Sequence, residues 1–457
     1  VRQLGSAEQR PMTALADIAA RLVEAAKAAG AEAADAIAVS GETLSVSVAA
    51  RALEEAERSE GVDIGLRALV GRRQACVSAS DIRPETISEL AERAVAMALA
   101  APEDPYCGLA DPSEIATGWD LAALDLDDPA DPPAPDRLEE IARAAEDAAL
   151  SVGGVTQVER ASAQRGRTEL ALAASNGFSG TYSRTSGGVS VSAIAGTGLR
   201  RERDWAYESR CHWADLPAAE EIGRRAAERA VAALGARRPP KGAVPVLYDE
   251  RIASSLIGHL VGAANGSSVA RGASWLRGRM GERVLPAGID LLEDPLKPRG
   301  LASRPFDGEG VAARQRPIVE DGVLARWVLD LSSARQLGLA TTGNARRGTG
   351  SPPSPGTSNL SLTQGSRSRE ELIREMGTGL IVTSMIGASV NPTTGAYSRG
   401  ASGFWVENGE IAYPVNEITV AGSLPEMLAR IVPANDADPA KSVSVPSLLV
   451  EGLTLAA

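Results

Sequence analysis

The chain reads as an α+β protein with an N-terminal α+β domain, a middle α+β segment and a large β-rich C-terminal domain. Three observations predict this. Runs with helical apolar spacing flank groups of runs with strand alternation. Asn176-Gly177 and Asn408-Gly409 stand between strand-like runs and signal hairpins. The 457 residues suffice for about three domains at roughly 100–200 residues each. Residues are 44% hydrophobic but only 3% aromatic, so the cores must rest on Ala, Val, Leu and Ile. The Pro-rich stretch 125–136 and the Arg-Pro-Lys loop 237–242 are the natural boundaries, giving segments 1–124, 125–240 and 241–457.

Within the first segment, Leu15, Ile18, Leu22 and Ala26 share one face of a helix over 12–30, closed by Gly30. Residues 35–40 and the alternating Leu44–Val48 read as strands. A polar gap at 54–59 precedes strand 61–70, the turn 71–73 and strand 74–80. Pro84 opens a helix that runs to about Ala101. In the second segment, a helix over 137–150 leads to strands at 155–163, 169–175, 182–185 and 188–195, then a helix over 217–234.

The third segment opens on a strand over Val244–Tyr248, with Asp249 as N-cap of a helix carrying Ile252, Leu256, His259, Leu260 and Ala263. Asn265-Gly266 is expected to stop it. Residues 271–285 start as helix and become irregular. A hairpin joins 311–319 to 323–329 through Glu320-Asp-Gly322, and a short helix spans 330–339. The small, polar stretch 341–358 shows no core pattern and reads as a functional or mobile loop. A strand at 359–362 and a helix at 369–377 follow, then strands at 404–406, 410–413 and 418–420, a helix at 424–431, and a strand pair at 445–455 around Glu451-Gly452.

Composition excludes several functions. A net charge of −12 argues against a general nucleic-acid binder and against an anionic membrane surface as partner. Three cysteines without regular spacing fit a reducing compartment. With no secretory h-region and no long apolar run, a cytoplasmic location is expected.

Motifs for chemistry are sparse. The Gly-rich stretch 343–350 lacks the Gly-Lys-Ser/Thr core of a phosphate loop. Ser402, in Arg399-Gly-Ala-Ser-Gly403, lacks the strand-turn-helix context of a nucleophile elbow. The two histidines, His212 and His259, are far apart and have no second ligand nearby. A zinc-binding helix needs two histidines and an adjacent glutamate, and the 250–263 helix offers His259 alone, best read as a neutral core or interface histidine. What survives suits binding. Edge strands with small residues at 389–392 and 400–405 are candidate acceptors for an extended peptide. The candidate peptide-contacting residues are His259, Asn391, Pro392, Arg399, Gly400, Ser402 and Trp405.

The stretch 244–266, the Pro-rich crossing segment 102–112, the run from Val390 to Leu424 and the closing Pro446–Thr454 resemble the TldD/PmbA family, on its PmbA (TldE) side. The resemblance implies an N-terminal α+β domain, a middle segment and a large β-rich C-terminal domain. It also implies proteolysis of unfolded or modified peptides by a heterodimer in which a TldD-type subunit supplies zinc. The His-Glu-x-x-x-His motif of that subunit falls here on Ile257, Gly258 and Gly262, and no cysteine follows Cys211 to match a further ligand near the C-terminus. The resemblance thus implies a chain without metal or catalytic residues, partnered by a TldD-type subunit, or a peptide-binding homodimer when alone. The family's older label, DNA gyrase modulator, gains nothing from the acidic charge.

Overall fold

The computed structural model describes residues 12–198 and 200–456. The expectation of no secretory segment concerns residues 1–11, which lie outside the described residues. The first half contains α1 (Met12–Ala28), β1 (Ala33–Ala49), β2 (Ala52–Val70), β3 (Arg73–Ala79), α2 (Pro84–Ala100), the single turn α3 (Leu121–Leu124), α4 (Pro135–Leu150), β4 (Val155–Ala174), β5 (Ser179–Ala195), β6 (Glu202–Arg210) and α5 (Ala219–Ala232). The second half begins with β7 (Gly242–Tyr248), α6 (Glu250–Ala263), α7 (Gly266–Ala270), β8 (Leu291–Asp294), β9 (Arg316–Glu320), β10 (Val323–Leu324) and α8 (Leu331–Leu337). It continues with β11 (Ala345–Arg346), β12 (Ser354–Pro355), β13 (Asn359–Leu362), α9 (Arg369–Met376), β14 (Gly379–Val390), β15 (Ala396–Glu407), β16 (Glu410–Ser423), α10 (Leu424–Leu428), β17 (Val432–Pro433), β18 (Val443–Ser444) and β19 (Leu448–Ala456). The fold is α+β, with a β-rich C-terminal region.

Strands from both sides of residue 125 share one sheet in the order β3-β2-β1-β4-β5-β6, joined where β1 pairs antiparallel with β4. Helices α1 and α2 cover one end of one face around Leu22, Ile64, Leu66 and Leu90. Helices α4 and α5 cover the other end around Val46, Leu138, Val191 and Ile222.

Several strands are longer than local pattern predicts. The expected polar gap at 54–59 is part of β2, which is exposed from Ala52 to Gly61 except for its ladder with β1. With neither face buried there is no alternation to detect, and backbone pairing with exposed ion pairs such as Arg160–Glu54 holds the arm. β4 likewise runs unbroken through 164–168, and β6 was not anticipated at all. The helix expected to start at 271 is absent, residues 271–285 being turns and loops; the short helix here, α7, precedes them, and Asn265 does not stop α6 in a left-handed conformation but caps α7, accepting from Ser267 and Ser268 N–H. The 311–319 arm of the expected hairpin is only partly strand: β9 and β10 pair around Asp321-Gly322, while Val311 and Ala312 make isolated bridges to Ile115 and Phe306.

The C-terminal sheet runs β16-β15-β14-β7-β19-β17, and β16 also pairs with β19. Helix α6 lies on one face of it, over Tyr248, Val382, Tyr397 and Trp405. Helix α9 packs Leu372 and Ile373 on the other face, against Leu247, Ile381 and Val406.

The C-terminal half docks on the face of the first sheet not covered by α1 and α2. Phe306 inserts among Trp119, Phe178 and Tyr182, with ring centroids at 4.9, 5.0 and 5.5 Å. Arg347 Nη1 donates to Asp35 Oδ1 at 2.5 Å, and Arg67 closes the other side of the same carboxylate. The stretch 341–358, expected to be a loose functional loop, is thus a docking segment. Gly65 permits it: a Cβ there would lie 2.1 Å from the carbonyl oxygen of Thr349.

Candidate functional site

The site is built on α6 and the strands beneath it. Asp249 caps the helix, its Oδ1 accepting from Arg251 N–H at 3.3 Å, and its other oxygen pairs with Arg369 at 3.0 Å. Ala253, Leu256, Ile257, Leu260 and Ala263 are buried, as the helical spacing requires. The opposite stripe carries Ser255, Gly258, His259 and Gly262, none of them buried.

His259 is half-buried, its ring 5.9 Å from that of Tyr397 and nearly perpendicular to it. Tyr397 Oη is 3.5 Å from Tyr248 Oη and 3.6 Å from Met385 Sδ, and Ser255 Oγ lies 3.8 Å from the same sulfur. Burial first, and the charge of Arg399 second, hold His259 below the ordinary histidine pKa. His259 is therefore a neutral ring near pH 7. Its Nε2 and the Nε of Arg399 are both buried without a hydrogen-bond partner among the described residues. Two sequence-predicted residues, His259 and Arg399, thus meet at one place and present donors or acceptors without partners.

The other predicted residues are dispersed. Asn391 forms the β14–β15 turn, its Oδ1 accepting from Thr393 and Thr394 N–H, and Pro392 O accepts from Trp275 N–H at 2.9 Å. Gly400, Ser402 and Trp405 lie on β15, which pairs with β14 on one side and β16 on the other. The expectation that 400–405 is a sheet edge is therefore corrected: its backbone groups already serve two ladders, and no strand can be added there. Trp405 is 3% exposed and donates its Nε1–H to Glu407 at 3.1 Å. Ser402 lines a cavity of about 730 Å³ between β6, α5 and the C-terminal sheet, with Trp205, Arg229, Arg251, Ile386 and Phe404.

A free edge does exist, on β14. Its parallel partner β7 pairs only with Leu380–Val382, and among the described residues nothing pairs with that side from Ser384 onward. There Ile386 is 75% exposed and Gly387 takes φ +74°. Sequence reading caught only the end of β14, in the edge strand at 389–392, and did not single out Met385 or the two tyrosines as site residues. The run Leu380–Thr383, with β-branched Ile381, Val382 and Thr383, was a usable strand signal, whereas the Tyr248–Tyr397 approach joins residues 149 apart and leaves no local trace.

The zinc that the TldD/PmbA resemblance assigns to TldD-type chains does not fit the residues present here. Ile257 is fully buried in the core, and Gly258 and Gly262 offer no donor atom and face open space. His259 would be a lone ligand, close to the positive charge of Arg399. Among the described residues no three His, Cys, Asp or Glu side chains gather as a metal site would require.

Comparison with known proteins agrees with this architecture. The PmbA/TldA metallopeptidase domain 1 matches residues 34–98, the central domain matches 127–234, and the C-terminal domain matches 241–457. The chain belongs to the PmbA/TldD metallopeptidase family. It is 36% identical over 415 residues to Metalloprotease PmbA of Escherichia coli O157:H7, covering 90% of both chains. It is 34% identical over 440 residues to the Metalloprotease PmbA homolog of Haemophilus influenzae, covering 95% of this chain and 94% of the other. Among solved structures, a putative modulator of DNA gyrase from Bacteroides thetaiotaomicron superposes with a TM-score of 0.89 at 26% identity, covering 96% of this chain and 98% of that one. TldE from Thermococcus kodakarensis shares the fold, with a TM-score of 0.84 at 21% identity over 96% of this chain and all of the other. Among the described residues no helix is long and apolar enough to cross a membrane.

Proposed function

We propose that this chain is the metal-free, PmbA/TldE-type subunit of a zinc peptidase that acts on unfolded or modified peptides. A TldD-type partner supplies the zinc, and this chain completes the substrate chamber and helps hold an extended peptide. The observation that carries the reading is the α6 stripe. Where a zinc-binding helix of this family needs two imidazoles and a carboxylate, this one has a core isoleucine and two glycines open to solvent. Without ligands the chain has no Lewis acid to polarise a carbonyl or lower the pKa of water. The unpaired β14 edge supports the peptide-holding role, since an added strand gains main-chain hydrogen bonds independent of side-chain sequence. Near that edge, His259 Nε2 and Arg399 Nε are buried without partners, the kind of polar group that a rearranged, peptide-bound site would satisfy. The free thiols Cys76, Cys107 and Cys211 suit a reducing, cytoplasmic setting.

The test is a peptidase assay on an unfolded protein, run with the purified chain alone and mixed with a TldD-type subunit, with zinc quantified in each. Activity only in the mixture, with no zinc in this chain, upholds the reading. Stoichiometric zinc and cleavage by this chain alone overturn it. Peptide binding by a stable homodimer that gains no activity from the partner would instead favour a stand-alone binding protein.

A further inference from the structure

A second cavity, of about 240 Å³, lies where the C-terminal half docks on the first sheet. Its lining includes the apolar Ile37, Leu170 and Leu172 and the polar Tyr182, Arg304, Asp307, Arg346 and Arg347. Three of these groups are arginines, and they are unevenly partnered. Arg347 is committed to Asp35, which it shares with Arg67. Arg304 gives Nη1 and Nη2 to the carbonyls of Ala345 and Gly356, at 2.9 and 3.2 Å. The Nε atoms of Arg304 and Arg347 remain buried without a partner.

Arg346 is different. Among the described residues its guanidinium makes no ion pair and no hydrogen bond. Its aliphatic stem rests on Gly356, where a Cβ would come within 2.5 Å of Arg346 Cδ. The residue is exposed overall, but its head group is sheltered. That burial first, and then the charge of Arg304, lowers its pKa, with Arg184 adding a smaller push.

The nearby carboxylates are already in use. Asp307 accepts backbone N–H groups from Glu309, Val311 and Ala345, each at 2.9 Å. Glu293 accepts from Asn344 Nδ2 at 2.8 and 2.9 Å, and from the N–H and hydroxyl of Ser358. The cavity wall therefore combines apolar side chains, a phenol, two partnered arginines, the carboxylate of Asp307 and the unpaired guanidinium of Arg346, and a free planar guanidinium is the group that recognises a planar or tetrahedral oxyanion.

We propose that this cavity binds an oxyanion, a phosphate or a carboxylate, with Arg346 as its principal partner and Tyr182 and Arg304 beside it. The site lies between the two halves of the chain, so an occupant also braces their docking. The inference is independent of the subunit reading, because it requires neither zinc nor peptidase activity.

The experiment is calorimetric titration of the full chain with inorganic phosphate at fixed ionic strength, alongside Arg346→Ala and Arg346→Lys. Expected are saturable binding to the wild-type chain, loss of binding in Arg346→Ala, and a Kd weakened by about tenfold in Arg346→Lys, which keeps the charge but loses the planar fork. Arg346 makes no bond that folding needs, so both variants should melt within about two degrees of wild type in chloride, as surface changes usually do. A parallel titration with N-acetyl-dialanine and its C-terminal amide separates the sources. Binding of the acid but not the amide assigns the site to a carboxylate, and binding of phosphate alone assigns it to a phosphate. No saturable binding of any oxyanion, or equal binding in wild type and Arg346→Ala, overturns the proposal.

Discussion

Asp35 and Glu309 are buried carboxyl groups that both act on Arg67, and they respond to pH in opposite directions. Burial alone would raise the pKa of Asp35, but Arg347 and Arg67 outweigh it and hold the group below its ordinary value. Its contribution to stability is complete above the unfolded value of about 3.9 and is lost as pH falls through the folded pKa. Asp35→Asn leaves two buried guanidinium groups uncompensated, so it should cost roughly 3–5 kcal/mol at pH 7 in urea unfolding. That difference should shrink as the pH approaches the folded pKa of Asp35. Glu309 is held well above the carboxylate range, by burial first and the neighbouring Asp307 second. The unfolded chain ionises before the folded one does, so this group lowers stability as pH rises from about 4.3 through the folded pKa. Glu309→Gln retains an oxygen for the Leu331 N–H, which Glu309 now accepts at 2.9 Å. The variant should have a flatter pH profile and a higher urea midpoint than wild type above that window. A profile unchanged by the substitution would show that Glu309 is not the titrating group.

At the scale of elements, helix α6 and the β1–β2 hairpin carry local conflicts that a substitution can relieve. Gly258 and Gly262 sit in the helix with no atom within 4 Å of a built Cβ. Changing either to Ala should stabilise the isolated chain by roughly 0.5–1 kcal/mol in urea unfolding, because alanine loses less backbone entropy in a helix. If the open stripe serves the assembled chamber, the same variants should lower peptidase activity in the mixture with a TldD-type subunit while the isolated chain gains stability. The β1–β2 turn places Ala50 at φ +51° and Arg51 at φ +58°. Left-handed backbone costs a non-glycine residue about 1–2 kcal/mol, and asparagine tolerates it better than alanine. Two contacts hold the turn in place, Arg51 N–H to Glu146 at 3.0 Å and Arg143 to Arg51 O at 2.6 Å.

For the whole molecule, the two halves are joined by an aromatic insertion and a buried ion triad. Phe306→Ala removes the ring that meets Trp119, Phe178 and Tyr182, and should cost about 3–5 kcal/mol. The loss should be spatially selective. Amide exchange should accelerate at residues 304–312 and 343–349 before it does in β1 or β4, whose own helices cover their other face. Uniform acceleration across both sheets would mean that the halves do not open separately. The docked arrangement also explains how a polar, glycine-rich stretch without a core pattern becomes ordered: Arg347 is 1% exposed at its side chain, bound to a carboxylate over 300 residues earlier.

The amino-acid sequence by itself determined the elements whose signals are local. The Asp249 cap, the Leu256, Leu260 and Ala263 stripe of α6, the Asn-Gly turns and the four longer helices of the first half could be read, because burial of one face imposes a period on neighbouring residues. The absence of ligand-bearing side chains at Ile257, Gly258 and Gly262 was equally visible, since it is a matter of residue identity. Only the tertiary structure decided which strands are edges. β15 is interior, and β14 lacks a partner on one side from Ser384 onward, a distinction made by partners far along the chain and not by either strand's own composition. The exposed arm of β2, the continuity of one sheet across residue 125, the meeting of His259 with Tyr397, and the burial of Arg347 against Asp35 belong to the same class. Each depends on a contact between residues remote in sequence, and backbone pairing or ion pairing at such a distance leaves no periodic mark on either partner.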